Sequence, residues 1–135
     1  MQIVENPKAT RAEPVVGLTD VAAIALADET ACALTTKGDV LCWGANGMGT
    51  LGRGTFGAVR FKIGTTAPPP ELAVSGAAHI AMGGEHACVV LDSGEVRCWG
   101  RGDQRQLGVV APDQCANGAR CGTRPIDALD AAPAK

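Results

Sequence analysis

The sequence contains no tyrosine, and its aromatic residues, two Trp and two Phe, make up 3% of 135 positions. That is too few rings for the stacking platform on which a single-strand nucleic-acid binder lays its bases. Positive charge is also scarce. Twelve Lys and Arg stand against 14 Asp and Glu, giving a net charge of -2, so no surplus of cations exists to neutralise a phosphate backbone. No apolar run approaches the ~20 residues that span a bilayer, and Met1 to Lys8 lacks the basic start and apolar centre of a signal peptide. The length suits one ordinary domain or a piece of a larger one, and argues against a two-domain enzyme.

What is present is turn residues, small apolar residues and cysteine. Gly (18) and Pro (8) fall short of the roughly 25–30% typical of low-complexity chains, while 46% of residues are apolar. A folded chain with many turns is expected. Six cysteines form an even set, more than a reduced cytosolic protein usually carries without a metal or redox task. If they are oxidised, the chain belongs outside the cytoplasm, in the extracellular space or cell envelope, and its export signal was removed or lay on a longer parent.

A shift of 56 residues superimposes Cys32 on Cys88, Cys42 on Cys98, Trp43-Gly44 on Trp99-Gly100 and Leu51-Gly52 on Leu107-Gly108 without a gap. Thirteen of the 32 positions from 21 to 52 are identical to their partners in 77–108, which marks an internal repeat. The units divide the chain into a tail at 1–13, a first unit at 14–69, a second at 70–124 and the start of a third at 125–135.

Each unit contains a hairpin. Thr36-Lys37-Gly38 and Asp92-Ser93-Gly94 suit three-residue turns closed by a left-handed glycine, where a Cβ is costly. Counting outward, Leu34 faces Val40, Ala33 faces Leu41 and Cys32 faces Cys42, and the second unit sets Cys88 opposite Cys98. Both cysteine pairs fall on non-hydrogen-bonded positions, where opposed side chains come closest, so cross-strand disulfides are expected. Zinc is disfavoured because each pair is spaced Cys-x9-Cys rather than as a short knuckle, and Thr30 replaces His86 in the first unit. Cys115 and Cys121 bracket a polar Gly-containing loop and read as a third bridge, a surface staple. The alanine-rich stretch 21–31, preceded by Thr19-Asp20, has the propensity and cap of a helix. Its counterpart holds Gly83-Gly84 and has no such propensity, so residues 21–25 and 78–82 are read as strands.

These residues resemble the regulator of chromosome condensation repeat family. Gly83-Gly84-Glu85-His86-Ala87-Cys88 and Cys98-Trp99-Gly100 match its turn and strands, and Asn46 to Gly52 matches its loop. The first unit departs at Leu26-Ala27-Asp28 and Thr30, the second at Gly102 for Asn and Arg105 for Gly. The resemblance implies an all-β fold of two four-stranded blades, part of a β-propeller ring of about seven, and the paired cysteines resemble an exported bacterial branch. Two blades leave open faces, so exposed apolar surface or self-association through the unpaired blade faces is expected.

No nucleophile–base or paired-carboxylate set is evident; His79 is a strand residue and His86 matches a turn histidine that is usually structural. Gly44 to Gly49 is a turn, without the Lys-Ser/Thr of a phosphate loop. Neither catalysis, nor a cofactor, nor a metal is therefore expected. Function is expected in the connections at 55–69, with Phe56 and Phe61, and at 109–124, since loops on rigid scaffolds carry binding. Arg101 and Arg105 extend the candidate partner surface; Arg97, Arg53 and Arg60 add to a basic rim, and Arg101-Gly102-Asp103 offers an adhesion-type tripeptide. The expected role is a non-enzymatic segment that binds an unidentified protein or surface partner, with no nucleic acid and no membrane span. By analogy, the family's founding member raises guanine-nucleotide exchange or chromatin regulation, and a propeller-shaped β-lactamase inhibitor raises enzyme inhibition.

Overall fold

A computed structural model describes residue 15 and residues 17–57, 70–115 and 118–127. Nine strands run through them: β1 Val21–Leu26, β2 Thr30–Thr35, β3 Val40–Gly44, β4 Glu71–Val74, β5 Ala77–Met82, β6 His86–Leu91, β7 Val96–Arg101, β8 Asp113–Gln114 and β9 Arg120–Asp127. They form two antiparallel sheets, ordered β1-β2-β3-β4 and β5-β6-β7-β9-β8.

The alanine-rich start of the first unit is a strand. Asp20, the proposed helix cap, lies at φ 57, a left-handed conformation rather than the extended one of a cap. β1 then pairs with β2 through Ile24 opposite Ala33 and Leu26 opposite Ala31. Sheet pairing outweighs the intrinsic helical preference of alanine here. Both units carry an irregularity at the same place in their first strand pair, at Val21/Ala23 and Ala77/His79.

The hairpin registers are those set by the turns. Gly38 (φ 89) donates to Thr35 O at 3.0 Å and Gly94 (φ 94) to Leu91 O at 2.8 Å. Cys32 lies opposite Cys42 and Cys88 opposite Cys98, each pair with Cα atoms 4.1 Å apart and disulfide-bonded. Cys115 and Cys121 form the third bridge. It is no surface staple. Both residues are buried, because β9 is drawn into the sheet against β7, with Cys121 opposite Arg101.

Sheet boundaries are offset from sequence units by one strand. Residues 71–74, which open the second sequence unit, are hydrogen-bonded to β3 and close the first sheet. Residues 125–127 likewise belong to β9 and pair with β7. The second sheet also has five strands rather than four, because residues 109–124 fold back as the β8–β9 hairpin.

Each sheet has two distinct faces. Period-two alternation places Cys32, Leu34, Val40 and Cys42 on one face of the first sheet, and Ile80, Met82, Ala87, Val89 and Trp99 on the opposite kind of face of the second. These two faces meet, with Leu51 between them, to form the main core. The cysteine face of the second sheet is covered by its own loop, where Leu107 and Ala111 pack on Cys88, Val96, Cys98 and Ile126. The remaining face, on the first sheet, carries Ile24 and Leu26 at 63% and 66% exposure.

Candidate protein-interaction surface

The junction between the sheets is fixed by polar contacts at its rim. Trp99, fully buried, donates Nε1–H to Thr50 O at 2.8 Å. Thr50 Oγ1 donates to Glu85 O at 3.0 Å, Asp28 N to Gly84 O at 2.9 Å and Ala77 N to Gly38 O at 2.9 Å. The tryptophans are therefore not equivalent edge residues. Trp99 is enclosed between the blades, whereas Trp43 is only half-buried and has no hydrogen-bond partner among the described residues.

In the first unit the loop following Gly44 is organised by buried Asn46. Its Oδ1 accepts from Leu51 N at 3.0 Å, and its Nδ2 donates to Thr55 O and Oγ1 at 3.1 and 3.2 Å. Its backbone oxygen accepts from Gly57 N at 2.8 Å. The hub thus clamps both sides of Phe56, whose ring stands 50% exposed. Phe61, Arg60 and residues 58–69 as a whole lie outside the described residues.

The second unit has Gly102 where the first has Asn46, and a different clamp takes over. Arg101 donates from Nε and Nη2 to the two Asp103 oxygens at 2.8 and 3.0 Å, and from Nη1 to Glu85 Oε1 at 2.8 Å. The hydrogen bond to Asp103, followed by the one to Glu85, raises the Arg101 pKa above its ordinary value, so the guanidinium stays charged. The hydrogen bond from Arg101 in turn lowers the Asp103 carboxyl below its ordinary value. The cation and carboxylate of Arg101-Gly102-Asp103 are thus turned on each other. Gly102 itself is buried against Leu107 and Ala111, leaving no room for a side chain, and its N–H donates to Arg120 O at 2.8 Å.

Arg105 occupies the position of Gly49 in the repeat and adopts the same left-handed backbone, φ 60 against 74. At Gly49 a Cβ would press on Thr123, at 2.9 Å. Arg105 is exposed on the loop. A left-handed non-glycine residue costs about 1–2 kcal/mol, so the arginine is carried there against backbone preference.

The hairpin at 109–124 is largely structural. Asp113 Oδ2 accepts from both N and Oγ1 of Thr123, at 3.1 and 3.0 Å, and Thr123 O accepts from Gly54 N at 2.7 Å. This hairpin therefore ties the second sheet to the loop of the first, leaving mainly Val110, Gln114 and Arg120 exposed. Asp113 and Asn46 escaped the sequence reading as structural hubs. The Asn46-to-Gly52 motif held a signal for one of them, while Asp113 has no counterpart in the repeat.

Other chemistry finds little support in the geometry. A cleft of about 80 Å³ between the blades is lined by Asp28, Glu29, Thr50, Gly84 and Glu85, far below the ~300 Å³ at which ligand pockets begin. Among the described residues no three His, Cys, Asp or Glu side chains group as a metal site, and no helix is long and apolar enough to cross a membrane. His79 is exposed on β5, and the His86 ring packs where a Cβ on Gly83 would sit, which accounts for the glycine in that turn.

Two sheets stacked face to back, each led by the same strand-and-hairpin unit, define a segment of a β-propeller. The profile of the regulator of chromosome condensation (RCC1) repeat matches residues 21–50 and 77–106. The chain is an RCC1-like repeat protein. It is 37% identical over 78 residues to the mitochondrial RCC1 domain-containing protein RUG3 of Arabidopsis thaliana, covering 56% of this chain but 16% of that protein. Among solved structures, human WBSCR16 superposes with a TM-score of 0.66 at 22% identity, over 89% of this chain and 30% of that one. Yeast RCC1 (Prp20), solved bound to Kap60, superposes with a TM-score of 0.59 at 23% identity, over 87% and 27%. A further structure, of Prp20p from Saccharomyces cerevisiae, was described with its binding to Gsp1p and histones; it superposes with a TM-score of 0.59 at 23% identity, over 87% and 28%. The chain thus spans less than a third of each of these relatives.

Proposed function

We propose that this chain is a non-enzymatic interaction segment whose loops bind a protein partner outside the cytoplasm, with Phe56 as apolar anchor and Arg105 as the leading cation. The observation that carries this reading is Arg105 at φ 60, where the equivalent residue is glycine. Backbone strain kept at an exposed loop position is a mark of a residue selected for contact rather than for stability. Phe56 supports it, because Asn46 presents a half-exposed ring on an ordered loop, and aromatic anchors commonly dominate interface energetics. Arg101 acts by shaping its loop through Asp103 and Glu85. Phe61 is a second candidate anchor on sequence grounds. The non-cytoplasmic location is supported by three disulfides, which persist in oxidising compartments.

The test takes a partner cross-linked to the chain in an extracellular or envelope fraction, then purified. Phe56→Ala should weaken its affinity about thirtyfold, the equivalent of ~2 kcal/mol. Arg105→Gly should weaken binding less while raising stability by about 0.5–1 kcal/mol, the relief of left-handed strain less the added freedom of glycine in the unfolded chain. Unchanged affinity in both variants overturns the loop reading. Tight binding of purified Gsp1p or histones, indifferent to Phe56, favours instead the regulatory reading raised by the Prp20p structure.

A further inference from the structure

The contact between the two blades is also a template for a contact that one blade lacks. Inside the chain, the cysteine face of the first sheet receives the tryptophan face of the second. Shifting each group back by 56 residues transfers that tryptophan face onto the first sheet: Ile80 becomes Ile24, Met82 becomes Leu26, Val89 becomes Ala33, Arg97 becomes Leu41 and Trp99 becomes Trp43. Every one of these replacements is apolar, yet Ile24 and Leu26 are mostly exposed and Trp43 is half-exposed. Shifting forward gives the complementary surface on the second sheet. Leu34 becomes Val90, Val40 becomes Val96, Cys32–Cys42 becomes Cys88–Cys98 and Leu51 becomes Leu107.

The polar rim transfers in the same way. Trp99 Nε1 donates to Thr50 O; the shifted pair is Trp43 Nε1, without a partner among the described residues, and the carbonyl of Gln106. Ala77 N donates to Gly38 O; the shifted pair is Val21 N and the carbonyl of Gly94. A Cβ on Gly38 would press on Ala77, whereas one on Gly94 would meet nothing within 4 Å. The space that a following blade fills at the first turn is open at the second.

We infer that two copies of this chain associate head to tail, the Ile24–Leu26–Trp43 face of one closing on the Val90–Cys88–Cys98–Leu107 face of the other in the register of the internal blade junction. The occupant is a second copy because the face requires a cysteine-bearing blade with a carbonyl at the Thr50 position, and this chain displays one. The interface is heterologous, so each copy offers both halves and association proceeds to rings or short stacks rather than stopping at a symmetric dimer.

Complementation tests this directly. Ile24→Asp/Leu26→Asp blocks one face at exposed positions, and Val90→Asp blocks the other. Light scattering on the wild type should show mass rising in whole multiples of the chain up to about 0.1 mM, and either variant alone should weaken association at least a hundredfold, as expected for charges forced into an apolar junction. Mixed, the two variants should form a one-to-one pair and nothing larger, since one intact face of each kind remains. Val90→Asp self-associating like the wild type would mean face-to-face pairing, and a wild type that stays monomeric throughout would mean none; either overturns the inference. If the emission of buried Trp99 shows Val90→Asp to be unfolded, the wild type decides by fluorescence. Its emission should shift to the blue with concentration as Trp43 is enclosed, and Trp43→Phe should abolish that shift. An unmoved spectrum overturns the inference equally.

Discussion

Trp99→Phe and Trp43→Phe are the same substitution at equivalent repeat positions, and the geometry assigns them different costs. Trp99 is fully buried between the blades, and its Nε1–H satisfies Thr50 O, itself on a residue that is 3% exposed. Phenylalanine removes the donor and leaves that carbonyl dry, a loss of about 1–3 kcal/mol. The smaller ring adds roughly 1 kcal/mol for the space it fails to fill. Trp43→Phe removes no hydrogen bond to any described residue and alters a side chain already in part-contact with water, so its cost should stay within about 0.5 kcal/mol. Urea unfolding with the disulfides intact reads the difference. For a chain of this size the slope is about 1–3 kcal/mol per molar urea, so Trp99→Phe should lower the midpoint by about 1–2 M while Trp43→Phe leaves it nearly unchanged. The measurement belongs at low protein concentration, where copies are apart. Equal losses at the two positions would refute the assignment of Trp99 to an interblade junction that Trp43 lacks.

Removing the Cys32–Cys42 bridge by Cys32→Ala/Cys42→Ala should cost about 2–4 kcal/mol, read from the urea midpoint, because it removes a cross-link and also opens space in the main core. Asn46→Ala should cost about 2–3 kcal/mol and speed amide exchange at Leu51, whose N–H loses its acceptor. Asp103, held below its ordinary value of 3.8 by Arg101, should titrate below that value by NMR. Since its folded pKa is the lower one, the Arg101–Asp103 contribution is present above pH 3.8 and is lost as pH falls through the depressed value; high salt should narrow the effect. Asp103→Asn should abolish that transition.

Most of the repeat was legible because its determinants are local. A glycine closing a three-residue turn sets the strand register, and the register alone opposes Cys32 with Cys42 and Cys88 with Cys98. The choice of strand over helix at Val21 to Leu26 came from comparing units, since propensity alone points the other way. Three features were beyond reach for physical reasons. The β8–β9 hairpin has no counterpart in the first unit, so nothing in the repeat foretold that residues 109–124 would join the sheet. The mutual pairing of Arg101 and Asp103 depends on a buried glycine between them and on Glu85 arriving from the preceding turn. The inequality of Trp43 and Trp99 depends on the direction in which blades stack, which identical motifs cannot encode. Of the candidate partner residues, Phe56 and Arg105 are displayed, Arg101 is occupied within its own loop, and Phe61 lies beyond the described residues.

The scarcity of aromatic rings bears on why the cysteines lie where they do. A stack of sheets needs bulk on its inner faces, about 10 Å of side-chain depth between layers. This chain has two tryptophans and two phenylalanines to supply it, and one of each leaves much of its surface in water. The cystines take up part of that role. Cys32 and Cys42 are 0% and 1% exposed and sit in the main core with Trp99, Leu34 and Val40, while Cys98 is buried under Leu107 and Ala111. A cross-strand cystine is a bulky apolar group whose two halves cannot part, so it fills the layer and holds the hairpin's register together. Reduction would leave two thiols of similar volume but release that restraint at the surface the next blade packs on. Blade stacking in this chain is therefore coupled to oxidation, and a reductant should loosen the junction at Trp99 before it disturbs the Gly38 and Gly94 turns, whose hydrogen bonds need no sulfur.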